Sequence, residues 1–278
     1  MTATATSALE AIRIDPIAFS REVLRFEPWS KQQEILCSVR DHRRTAVRSA
    51  HGVGKTAIAA RTILWFLAAY PNSKVISTAP TWHQVREQLW RKVHVAYAAA
   101  GGFFDGQLDD TRLELAPDWF ALGLSTDRAE RFSGHHAEHL LLVVDEASGM
   151  DEAIYTAAES YLTSEGARIL LIGNPTTLAG TFYRAFHSER SLWNTISISA
   201  FDTPAFTGEN VTKTVARGSS IASGSRPLRS GGGRRARCTG ARPRTVPVDE
   251  RQHRLRHIGG RASATADSGA GDAGDRVL

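Results

Sequence analysis

Ser49-Ala-His-Gly-Val-Gly-Lys55-Thr56 is a glycine loop ending in Gly-Lys-Thr, and the fold turns on how it is read. Gly52 and Gly54 let the backbone bend until its N–H groups point at a phosphate chain. Lys55 is then placed to reach the β- and γ-phosphates of ATP, and the Thr56 hydroxyl to ligate Mg2+. The flanks are those of a strand-to-helix loop: Ala46-Val47-Arg48 is short and β-prone, and residues 57–69 are apolar and helix-forming. Ser49 stands where the usual pattern of such loops begins with glycine.

About ninety residues on, Leu140-Leu-Leu-Val-Val-Asp145-Glu146 is an apolar strand ending in two carboxylates. A buried strand of this kind delivers Asp145 to the Mg2+ shell and leaves Glu146 where it can orient or deprotonate an attacking water. Between and beyond these segments, strand-like and helix-like stretches alternate. Residues 74–78 and 168–172 read as strands, as do 194–199; 82–99, 151–162 and 179–186 read as helices. Pro117-Asp118 divides two apolar runs into a hairpin appended to the core. The expected fold is α/β, with a mostly parallel central sheet that binds its ligand at the carboxyl ends of the strands.

The 278 residues, 42% of them hydrophobic, suffice for a sizeable core. Their net charge of +5 is unevenly placed. Met1 to Thr214 holds 21 Lys and Arg against 24 Asp and Glu, a net of −3, whereas Val215 to Leu278 holds 13 Arg, no Lys and 5 acids, a net of +8. The basic balance therefore cannot be read as a nucleic-acid-binding surface on the folded part. Residues 1–14 are expected to be flexible, 15–210 to form the folded domain, and 211–278 to be a disordered Arg/Gly/Ala-rich tail, since nothing there has apolar periodicity. That tail reads either as a basic arm for nucleic acid or as an out-of-frame or truncated end, because a GC-rich gene in the wrong frame yields Arg, Gly, Ala, Pro and Ser. Cys37 and Cys238 are too few and too far apart for a disulfide framework or a cysteine zinc site. With neither a leader pattern nor a long apolar run, the chain is expected to be soluble and cytoplasmic, with no membrane association.

Four smaller constellations leave alternatives open. Trp29 and Gln32, in Pro28-Trp-Ser-Lys-Gln32-Gln33, are either an aromatic-and-amide clamp for adenine or a core Trp beside a solvated Gln. Thr78-Ala-Pro-Thr81 with Gln84 is either a DNA-backbone contact or a helix cap. Asn174, in Gly173-Asn174-Pro175, either senses the γ-phosphate or shapes an Asn-Pro turn. Arg128 and Arg131 lie in a polar loop before the Asp-Glu strand, and are either charge-stabilising fingers or solvated side chains.

Taken in order, Trp-x-x-Gln, Gly-x-Gly-Lys-Thr, Thr-Ala-Pro-Thr-x-x-Gln, Phe-Ser-Gly-His-His, Val-Val-Asp-Glu-Ala-Ser-Gly and Gly-Asn-Pro-Thr resemble the ATPase domain of phage terminase large subunits, the DNA-packaging motors. Residues 144–150, 173–176, 180–183 and 199–204 are the most specific, and the likeness runs from Asp15 to Asn210. It implies an additional-strand, RecA- and helicase-like P-loop ATPase that assembles as a homo-oligomeric ring on a portal protein, works with a small terminase subunit and threads double-stranded DNA into a procapsid. In that family a finger from the loop of Arg128 and Arg131 can come from a neighbouring subunit, and the first loop glycine is often replaced, as by Ser49. Full-length members continue into a two-metal nuclease. Here Asp249, Glu250, Asp267, Asp272 and Asp275 stand in sequence without strands, so no nuclease activity is expected and the chain reads as the ATPase half of a truncated or frameshifted prophage gene. The alternatives are a helicase-like nucleic-acid translocase, which needs a second RecA-like domain, and a non-enzymatic remnant that binds nucleotide.

Overall fold

Residues 11, 13–126, 135–159 and 164–210 are described by the computed structural model, and all lie in one compact unit. The chain opens with α1 (Pro16–Glu22), capped by the Asp15 side chain and started by a proline whose missing N–H costs nothing at that position. Next come α2 (Ser30–Asp41), β1 (Arg44–Ser49), α3 (Lys55–Ala69) and β2 (Lys74–Thr78). A π-helical segment, Gln84–Trp90, then runs into α4 (Arg91–Ala99). Strands β3 (Gln107–Leu108), β4 (Arg112–Ala116) and β5 (Trp119–Gly123) follow, then β6 (His139–Asp145), α5 (Glu152–Glu159), β7 (Gly166–Gly173), α6 (Gly180–Arg184), β8 (Asn194–Ile198) and α7 (Pro204–Thr207).

All eight strands join one sheet in the order β3-β4-β5-β2-β6-β7-β1-β8. From β5 to β8 every pairing is parallel; only β3–β4 and β4–β5 are antiparallel. The hairpin turns at Pro117-Asp118 and joins the parallel core through β5. One strand, β7, stands between the glycine-loop strand β1 and the Asp-Glu strand β6, which is the additional-strand arrangement of P-loop ATPases.

Alternation along the buried strands gives the sheet two apolar faces. Leu141, Val143, Leu170, Ile172, Val47 and Ile196 face the cluster built around α3, and Leu140, Leu142, Val144, Ile169 and Leu171 face the one containing Ile154, Tyr155 and Phe182. Helix α3 is apolar nearly all round and is buried along its length, so it lies under other helices as well as on the sheet. The π-helical winding accompanies the burial of Trp90, whose indole N–H donates to Ser77 Oγ at 3.0 Å. By the same alternation Asp145 follows Leu141 and Val143 onto the α3 face.

Candidate functional site

The glycine loop leaves β1 at the carboxyl edge of the sheet and enters α3 through Gly54. Gly52 (φ 74°) and Gly54 (φ 85°) both lie in the left-handed region, which only glycine adopts without strain. Gly54 has a second constraint: a Cβ there would come within 2.8 Å of Gln32 Nε2. Ser49 is buried in register with Ile198 of β8, and its hydroxyl donates to the Ala50 carbonyl. Lys55 is 8% exposed, and its ammonium donates to Asn174 Oδ1 at 2.5 Å and lies 3.7 Å from Glu146 Oε1.

At the end of β6, Asp145 is 2% exposed, and the Thr56 hydroxyl lies beside its carboxyl. Burial pushes its carboxyl up to about 6, with the Glu146 charge adding to the rise and the hydrogen bonds from Thr56 and the Glu146 N–H opposing it. Glu146 has φ 51° and ψ 44°, an uncommon left-handed conformation for a residue with a side chain. The chain reverses there, so Glu146 faces Lys55 while Asp145 faces Thr56. A carboxylate and a hydroxyl side by side are hard oxygen donors of the kind Mg2+ takes alongside water and phosphate. Among the described residues no group of three or more His, Cys, Asp or Glu side chains gathers as a metal cluster.

Asn174, 119 positions from Lys55, is buried at the end of β7; its amide donates to the Ser49 carbonyl at 3.0 Å while its oxygen accepts from Lys55. It ties both ends of the glycine loop to β7. The Asn-Pro turn forms as well, with the Thr176 N–H on the Asn174 carbonyl at 2.9 Å. Two motif residues to which the sequence assigns no individual role link the neighbouring loops. Ser148 Oγ accepts from the N–H groups of Thr176 and Thr177, each at 3.1 Å, and Gly173 lies so close to the chain reversal that a Cβ would stand 2.9 Å from Ala147 N. A glycine at a strand end signals close approach of another backbone. Ser148 carries no comparable sequence signal.

The remaining candidates are placed as follows. Trp29 is buried in the core; Gln32 is buried too, its Oε1 accepting from the Trp29 N–H at 3.3 Å and its amide against Gly54. Thr81 caps the helical residues 82–83 that lead into the π-helical segment, with the Gln84 N–H on its hydroxyl at 3.3 Å and the Thr81 N–H on Gln84 Oε1 at 3.1 Å. Arg128 and Arg131 lie outside the described residues. Beside the loop a groove opens, lined by Arg48, His51, Thr176 and Ser199 among others.

No family profile matches the chain. Over 186 residues it is 31% identical to a probable terminase large subunit of Enterobacteria phage P7, covering 63% of this chain and 38% of that protein. The chain thus spans well under half the length of that relative. In fold it is similar to the large terminase ATPase domain of Thermus phage P74-26, with a TM-score of 0.56 and 22% identity over 68% of this chain and 87% of that one. The large terminase of another thermophilic bacteriophage, in a structure with ADP, gives a TM-score of 0.51 and 15% identity over 61% of this chain and 44% of that one.

Proposed function

From a chain related to the phage terminase large subunits and carrying the fold of their ATPase domain, we propose a Mg2+-dependent ATPase that powers the packaging of double-stranded DNA into a phage procapsid. The observation that carries the reading is the convergence of Lys55, Thr56, Asp145, Glu146 and Asn174, from β6, β7 and the β1–α3 loop, at one edge of the sheet. Lys55 and the loop N–H groups bind the phosphates of ATP, and Gly52, Gly54 and Ser49 give the loop its path. Gln32 braces that loop from α2, with Trp29 anchoring Gln32 to the core.

Thr56 and Asp145 are the residues that would hold Mg2+, which when bound neutralises charge building on the phosphates. Glu146 orients the attacking water and takes its proton, the left-handed turn holding its carboxylate beside the Lys55 ammonium. Asn174 releases Lys55 to the phosphates and meets the γ-phosphate through its amide N–H, which in the structure donates to the Ser49 carbonyl, and so links occupancy of the site to the Ser148–Thr176 contact between loops. Arg128 and Arg131 remain the arginine-finger candidates. Duplex DNA, a small terminase subunit, a portal protein and other copies in a ring are the partners this reading implies. Phosphate release from MgATP by the purified chain, with and without duplex DNA, tests it: turnover that rises with DNA is expected, and absence of turnover under both conditions rejects it.

A further inference from the structure

Resting on that nucleotide-site reading, we infer that Phe201 and Phe206 form the platform on which the purine base of the nucleotide stacks. Both rings are strongly exposed, Phe201 at 73% and Phe206 at 66%, yet they face each other edge-on with centroids 5.3 Å apart. Two exposed aromatics held together in this way present a ready π-face.

Their setting ties them to the loop at both ends. Residue Ser49 is in register with Ile198, and the Ala50 N–H donates to the Ile198 carbonyl at 2.9 Å, so the chain leaving β8 starts beside the first residues of the glycine loop. The next turn is fixed by reciprocal bonds: the Phe201 N–H donates to Ser199 Oγ at 3.0 Å, and the Ser199 N–H to Asp202 Oδ2 at 2.7 Å. After α7 the chain turns at Gly208 (φ 71°), and Glu209 accepts from both the N–H and the hydroxyl of Ser30, at 2.8 and 2.9 Å. Ser30 opens α2, the helix whose Gln32 reaches Gly54. The aromatic pair is therefore clamped between the start of the loop and the helix that braces its end.

Polarity of the phosphate chain supplies the rest. The groups assigned to the γ-phosphate are Glu146 and Asn174, at the ends of β6 and β7 on one side of β1, and the Lys55 ammonium that reaches toward both. The nucleoside end of the ligand extends the other way, and the strand on the other side of β1 is β8, which leads straight into Phe201. Trp29, which precedes the helix that braces the loop, is enclosed in the core and offers no comparable face.

Titration calorimetry with MgATP and with Mg2+-tripolyphosphate, which has the phosphate chain and no base, separates base from phosphate recognition. The Phe201→Ala and Phe206→Ala variants are expected to bind ATP roughly tenfold or more weakly, to bind tripolyphosphate as the parent does, and Phe201→Trp to restore ATP affinity. Unchanged ATP affinity in the double alanine variant, or an equal loss for both ligands, overturns the platform and leaves the phosphate site standing. A parent chain that binds neither ligand overturns the nucleotide-site reading and the platform with it.

Discussion

At Asp145 the geometry that suits a metal ligand works against the stability of the unliganded protein. The carboxyl is 2% exposed and is pushed up to about 6, so the unfolded chain ionises more easily than the folded one. Its contribution to stability is full below about pH 4, where both states are protonated, and falls as pH rises to about 6, above which the whole penalty applies. Asp145→Asn removes that penalty. In the absence of divalent cation the variant is expected to be more stable than the parent at pH 7.5, by up to about 3 kcal/mol, and to match it near pH 4, as urea midpoints at the two values would show; an unchanged difference at both values would mean that Asp145 carries no such penalty. The residues of the candidate site are only half legible in the sequence. Thr56, Lys55 and Asp145 announce themselves by residue type and spacing, but the Lys55–Asn174 contact joins positions 119 apart, and no spacing rule specifies it. Trp29 and Gln32 are ambiguous for a related reason: an aromatic and an amide at helical spacing read alike whether they point inward or outward, and here both are buried.

Among elements, the ends of β6 and β7 behave as one unit. Gly173 passes so near the Glu146–Ala147 backbone that Gly173→Ala would put its Cβ 2.9 Å from Ala147 N and 3.3 Å from Glu146 C. The crowding atoms are backbone and leave little room to yield, so the substitution is expected to cost about 1–3 kcal/mol and to lower ATP turnover by displacing Glu146. Denaturation midpoints and turnover measured on the same variant check this; parental values for both would mean that the two strand ends adjust independently. Elements with strong periodicity are legible: residues 74–78 form the strand that their pattern specifies, and residues 139–145 do so within a residue or two. The misses have local causes. With two residues, β3 is too short to show a period, while the only mark of α1 is the cap and first-turn proline of Asp15-Pro16, which apolar spacing does not register. A π-helical winding at Gln84–Trp90 leaves no trace in such a pattern either.

At the scale of the molecule, the order β2-β6-β7-β1-β8 brings three loops from distant parts of the sequence to one edge. The alternation of strands and helices makes a parallel sheet legible, yet the placement of β7 between β1 and β6 is a matter of topology that local pattern does not contain; it enters through the resemblance. No described helix is long and apolar enough to cross a membrane. The tail, residues 211–278, lies outside the described residues, and disorder and the absence of a nuclease remain expectations for it. The proposed nucleotide hydrolysis rests on Glu146, held by an unusual backbone turn opposite Lys55. The most direct test is the steady-state rate of phosphate release from saturating MgATP, compared between the chain and its Glu146→Gln variant. The expected result is turnover by the chain and a fall of roughly a hundredfold or more in the variant, with MgATP still bound; equal rates in the two proteins would contradict the account.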